Sequence, residues 1–223
     1  MAERYGEIPK KFTKKWWSYF WAYYKWWVIV PAVLIVVVAC LLTSIWKMER
    51  YDVTLTYAGP HFFPNNHVKQ ISDEFGKFCE DVNNDGEKLL TLANMTISDK
   101  EIDLEYKSSL LISLQFALEE EEKYIFIIHK DYAGRYLAQK AQDCRYAPAG
   151  EWYTGDTAEL ETLSAHGNDY GISLDKNDIF KKWDCDLSDH YLLIRKKPAD
   201  KAELPSYNAA IKLANELLEH KGM

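Results

Sequence analysis

Between Trp27 and Trp46 the chain runs for 20 residues without a charge, with Val, Ile and Leu in near-unbroken succession after Pro31. As a helix that run rises about 30 Å, the thickness of a bilayer core, so it predicts one transmembrane helix over residues 26–46. Trp26 and Trp27 at one end and Trp46 at the other suit the aromatic belt of a membrane interface, with Lys25 and Lys47 at the boundaries with water. Pro31 falls early in the run, where its missing N–H costs least. The alternative is a buried core helix of a soluble domain, and few of those run so far without a charge.

After Arg50 the pattern changes to short strands alternating with amphipathic helices. Tyr51–Tyr57 is β-rich and stops at the breaker Ala58-Gly59-Pro60. Asn65 or Asn66 can cap a helix whose apolar face is Val68, Ile71, Phe75, Phe78 and Cys79. A turn at Asn83–Gly86 leads to a second strand over Lys88–Ala93. Tyr106, Leu110, Leu111, Leu114, Ala117 and Leu118 recur at three and four, predicting a helix that ends in the acidic run Glu119–Glu122. Tyr124–Ile128 has no polar interruption, the mark of a central strand covered on both faces. Asp131 can cap a helix carrying Tyr132, Tyr136, Leu137 and Ala141. Cys144 to Asp178 reads as irregular, Tyr191–Ile194 as a strand, and Pro205-Ser206 as the start of a closing helix. The order β-α-β-α-β-α-loop-β-α predicts one α/β domain over residues 50–223, a three-layer sandwich with a mostly parallel sheet.

Charge separates the two ends. The chain carries −7 overall, yet residues 1–25 hold six bases against two acids, leaving 21 bases and 32 acids for the rest. An acidic body argues against nucleic acid as a partner. The bases ahead of the apolar run outnumber those just behind it, so the N-terminus is expected on the cytoplasmic side of a cell membrane and the body outside, as a single-pass protein. Within residues 1–25, Phe12, Trp16, Trp17, Phe20, Trp21, Tyr23 and Tyr24 mix with Lys11, Lys14, Lys15 and Lys25. This suits a segment lying among anionic headgroups, or a helix that simply continues into the span. Val37-Val38-Ala39-Cys40 resembles a lipobox, which would make Cys40 a lipidated N-terminus. Leu41, Leu42, Ile45 and Trp46 prolong the apolar run beyond it, where a lipoprotein would have a polar tether. The body should be soluble and monomeric alone, given polar outer helix faces and strong negative charge.

Common catalytic signatures are missing: no G-x-S-x-G, H-E-x-x-H, G-x-x-x-x-G-K-[ST], or G-x-G-x-x-G after the first strand. The six histidines never fall at ligand spacing. His129, at the end of the central strand, is placed where open α/β sheets bind ligands, although a lone histidine there is more often a satisfied structural group. Cys79 reads as a core residue, while Cys144 and Cys185 flank the irregular region as a candidate disulfide or as two free thiols. Asp81-Val-Asn83-Asn-Asp85-Gly86 has oxygens at positions 1, 3 and 5 and glycine at 6 of a calcium loop, with the Glu87 carbonyl at 7. Leu92 stands where the bidentate acid should be, so Ca2+ competes with a plain Asn/Asp/Gly turn.

With its basic aromatic N-terminus, single span, Tyr57-Ala58-Gly59 strand end and D-x-N-x-D-G turn, the chain resembles a group of uncharacterised single-pass membrane proteins of anaerobic Gram-positive bacteria. That resemblance implies a layout and no activity. The body is similar, as a fold, to one lobe of an extracytoplasmic solute-binding protein. Three functions follow as expectations. The first is a membrane-anchored, non-enzymatic interaction module working on another membrane or envelope protein. The second is a small-ligand domain with Trp152, Tyr153 and Tyr170 as a lid near His129. The third is a hydrolase using carboxylates such as Asp156, Glu159 and Glu161.

Overall fold

The computed structural model describes residues 10–46, 50–97, 103–137, 144–156 and 160–219. It divides into two compact units, Met1–Glu49 and Arg50–Met223.

The first unit is one helix, α1 (Lys14–Trp46). Thr13 caps it, its hydroxyl accepting from the Trp16 N–H at 3.3 Å. The helix continues through Lys25, Pro31 and Cys40 without a break, so the segment before the apolar run extends into it instead of lying apart. It is long and apolar enough to cross a membrane, by length and composition.

The second unit is an α/β domain built on a six-stranded mixed sheet in the order β2-β1-β3-β6-β5-β4. The strands are β1 (Val53–Gly59), β2 (Leu90–Thr96), β3 (Ile125–His129), β4 (Thr162–Ala165), β5 (Asn168–Ser173) and β6 (His190–Ile194). Helices α2 (Asn65–Phe75), α3 (Leu104–Glu119), α4 (Lys130–Leu137), α5 (Ala149–Trp152) and α6 (Leu204–Glu219) flank it. Strict alternation sorts the core. Val53, Leu55, Tyr57, Ile125 and Ile127 point to a first core shared with α2, α5 and α6, while Ala58, Phe126 and Ile128 point to a second shared with α3 and α4. Ile125 to Ile128 are fully buried, as a strand covered on both faces requires.

The sheet is not mostly parallel. β1 pairs in parallel with β2 and β3, but β3–β6, β6–β5 and β5–β4 are antiparallel. The reason lies in the stretch read as irregular. Thr162–Ala165 and Asn168–Ser173 form a hairpin around His166-Gly167, whose φ values of 52° and 80° are those of a type I′ turn. The chain from Ser173 then returns at the same end of the sheet to start β6, which enforces an antiparallel neighbour.

Two helix ends are also solved differently from the sequence reading. Pro64 stands at the N-cap of α2 with no side-chain bond, and Asn65 is already helical. The acidic C-terminus of α3 is closed by cations from elsewhere. Arg195, at 7% exposure, donates Nη2 to the Leu118 carbonyl and Nε to the Lys123 carbonyl at 2.8 Å, and Arg145 reaches the Glu119 carbonyl at 3.3 Å. At Leu118 and Glu119 these guanidinium groups satisfy carbonyls that the helix leaves open and oppose its negative pole, and at Lys123 Arg195 ties down the loop that follows.

Candidate functional site

The carboxyl ends of β1 and β3 meet the start of β6, and this end of the sheet gathers four histidines. Tyr57, the fifth residue of β1, lies fully buried with its hydroxyl 3.2 Å from Nε2 of His190. The His61 N–H donates to the same hydroxyl at 3.2 Å, and the Cys185 thiol donates to the Asp186 carbonyl at 3.9 Å. His129 pairs across the ladder with His190, their rings 5.1 Å apart and nearly perpendicular. His129 also faces Asp131 at 3.4 Å, and Lys130 pairs with Asp189 at 2.5 Å. Gly59 is required here: a Cβ would come within 2.4 Å of His190 Nε2 and 2.6 Å of the Tyr57 hydroxyl.

Hydrogen bonding fixes the His190 tautomer. Its Nδ1 lies 2.9 Å from the Ser188 carbonyl and must carry the proton, which leaves Nε2 to accept from Tyr57. Burial lowers the pKa of His190 and raises that of Tyr57 well above the ordinary phenol range. Burial also pushes the Cys185 thiol up to about 12, so it stays protonated and is no nucleophile at neutral pH. His61 is lowered by burial first and then by His67, with Asp184 opposing. His61 Nε2 and His67 Nδ1 are buried without a hydrogen-bond partner, two acceptors or donors left for something else. The arrangement favours neutral imidazoles at His190 and His61.

The expected aromatic lid does not assemble. Trp152 is 2% exposed in the first core with Tyr153 against it, whereas Tyr170 is 4% exposed in the second. Tyr170 is the extra residue of a bulge in β5, between Gly171 opposite Leu163 and Asp169 opposite Ser164, and bulges re-aim side chains. His129 alone of that group stands at the strand ends. Cys144 and Cys185 are both free thiols, buried in the two cores on opposite faces of the sheet, so the candidate disulfide is not formed. Of the hydrolase carboxylates, Asp156 is exposed, Glu161 accepts from the Tyr191 hydroxyl at 3.4 Å, and Glu159 lies outside the described residues.

At Asp81–Glu87 the side chains close a turn. Asp81 Oδ2 accepts from Gly86 N–H at 2.9 Å, Asn83 Oδ1 from Asp85 N–H at 2.8 Å, and Asp85 Oδ1 from Glu87 N–H at 2.9 Å. Among the described residues no three His, Cys, Asp or Glu side chains group as metal ligands. The residue that sequence reasoning missed is Asp52, 6% exposed, whose carboxylate accepts from the N–H groups of Val82, Asn83 and Leu89 at 2.8, 3.2 and 2.9 Å. An acid immediately before a strand was its only signal.

Large apolar side chains are exposed elsewhere on the body. Leu104, Tyr106, Ile112 and Phe116 of α3 are 77%, 52%, 55% and 67% exposed, although Leu114, Ala117 and Leu118 of the same helix are buried. Phe116, Ser113 and Ala117 line an open depression with Met95 of β2, the strand at one edge of the sheet. A second open depression runs along α6 beside Thr154. Comparison of the chain with protein-family models, curated proteins and solved structures finds no match.

Proposed function

We propose that this chain is a membrane-anchored interaction module: α1 holds it in the membrane with the N-terminus cytoplasmic, and the α/β body meets a protein partner outside through α3 and the β2 edge. The observation that carries this reading is the half-packed α3. A helix that buries Leu114 and Leu118 yet leaves Ile112 and Phe116 in water presents an apolar face next to an edge strand, where partners add most readily. A photoreactive amino acid at Phe116 in intact cells should give one discrete adduct. The same probe at the exposed Asn208 of α6 should give none. Equal labelling from both positions, or none from Phe116, overturns the reading. Protease added outside should digest the body and spare it only if the orientation is reversed.

The second reading, a small polar ligand at the carboxyl ends of β1 and β3, is favoured by the unpartnered nitrogens of His61 and His67. A ligand there would raise the melting temperature of the body, and His67→Ala would remove that rise.

A further inference from the structure

The part of α1 that precedes the apolar run carries two opposed stripes. Trp16, Phe20 and Tyr24 stack in a ladder with centroid separations of 5.4 and 5.6 Å, and Phe12, just ahead of the helix, tilts against Trp16 at 5.4 Å. Within the helix the ladder runs at spacings of four and then three to Trp27. Lys15, Ser18, Ala22 and Lys25 follow at spacings of three and four on a second stripe, offset from the first by two residues, or about 200°. The bases therefore lie opposite the ladder, while Trp17, Tyr19, Trp21, Tyr23 and Trp26 fill the flanks between the two stripes.

Such a pattern usually marks a helix lying flat in the interface, but that needs a break before the span, and α1 has none from Lys14 to Trp46. If the core begins near Trp27, then Trp16 stands about 16 Å above it along the axis. The headgroup layer accounts for only about 5–8 Å of that height. The upper ladder would thus project into water, where stacked indole and phenyl faces call for a cover.

We infer that the cover is a second copy of this chain, paired in parallel through the aromatic ladder; the inference rests on the anchoring proposed above. Two copies inserted in the same direction hold identical residues at identical depth, so a two-fold axis along the membrane normal sets Trp16 against Trp16 and Phe20 against Phe20. Rows at spacing four are the ridges that helices interdigitate. The charge pattern fits only this face. Pairing through the rings turns the lysines outward, about 20 Å apart and screened, whereas pairing through Ser18 and Ala22 would press Lys15 and Lys25 against their counterparts.

The test uses the full chain in isolated membranes, with Cys40→Ala to remove the exposed native thiol of the span. Under copper-phenanthroline oxidation, Phe20→Cys should form a disulfide-linked dimer and Ser18→Cys should stay monomeric. Adding Trp16→Ala and Tyr24→Ala should lower the Phe20→Cys yield several-fold. If a chain that resists alkaline carbonate extraction gives no Phe20→Cys dimer, or links through Ser18→Cys at least as well, the pairing is overturned and the anchor stands. Release of the chain by carbonate overturns the anchor and the pairing with it.

Discussion

The Tyr57 hydroxyl donates to Nε2 of His190 at 3.2 Å across two strands that are not neighbours, since β3 lies between them. The contact exists because Gly59 leaves room for it and because Ser188 fixes the opposite nitrogen. Tyr57→Phe should cost about 1–3 kcal/mol, the range for leaving a buried acceptor unpaired. Gly59→Ala should cost more than Tyr57→Phe, since the added methyl displaces both partners. Urea unfolding of the body would measure both; a neutral Gly59→Ala would show that the two rings are not held in place.

Acid should loosen the same end of the sheet. Burial lowers the pKa of His190, which faces Tyr57, His129 and Asp186, and of His61, which faces His67 and Asp184. In the unfolded chain both take up protons near the ordinary value of 6.5, where the folded state refuses them. The unfolded state then binds more protons, so stability must fall as pH drops below about 6.5. The melting temperature should decline from pH 7 to pH 5, and His190→Gln should flatten that decline. An unchanged slope in the variant removes His190 as its source.

Arg195 should prove the most costly surface-proximal side chain to remove. It closes the C-terminus of α3 through the Leu118 carbonyl, holds the following loop through the Lys123 carbonyl, and lies over the Phe126 ring at 5.7 Å. Arg195→Ala should cost about 2–4 kcal/mol, from charged hydrogen bonds lost and carbonyls left open. Arg145→Ala, with one longer bond at an exposed site, should cost under about 1 kcal/mol. The ratio between the two, read from denaturant midpoints, is the test; equal losses would place the cap elsewhere.

Much of this architecture is legible in the chain because periodicity is local. Ile125–Ile128 reads as a covered strand, and Leu114 with Leu118 as the packed face of α3, from side-chain spacing alone. What the spacing leaves out depends on partners far away in sequence. The acidic end of α3 looks unfavourable until Arg195, 77 residues on from Leu118, closes it. The β4–β5 hairpin hides because His166-Gly167 replaces the usual Asn-Gly pair, and the strands it joins are short. The histidines look scattered because strand order, not spacing, brings His61, His129 and His190 to one end. Trp152 and Tyr170 look alike as exposed loop aromatics until the sheet separates them.

The turn after α2 separates a scaffold role from a metal role. Asp52 holds Val82, Asn83 and Leu89 whatever occupies the turn, so Asp52→Ala should cost about 2–4 kcal/mol with calcium present or absent. Asp81 differs: its Oδ2 serves Gly86, but its Oδ1 is buried with no hydrogen bond. A cation would satisfy that oxygen. With Asn83, Asp85 and the Glu87 carbonyl it would find about four ligands, short of the six to eight calcium takes, so waters must complete the shell and affinity should be weak, roughly 0.1–1 mM. At ten times that dissociation constant, binding adds about 1.4 kcal/mol by mass action. Calcium at 10 mM should therefore raise the melting temperature of the body by a few degrees over chelator. In Asp81→Ala with Asp85→Ala the two curves should coincide. If they already coincide in the native sequence, Asp81 and Asp85 only close the turn, and the buried Oδ1 is a cost that Asp52 and the packing of Val82 against the first core outweigh.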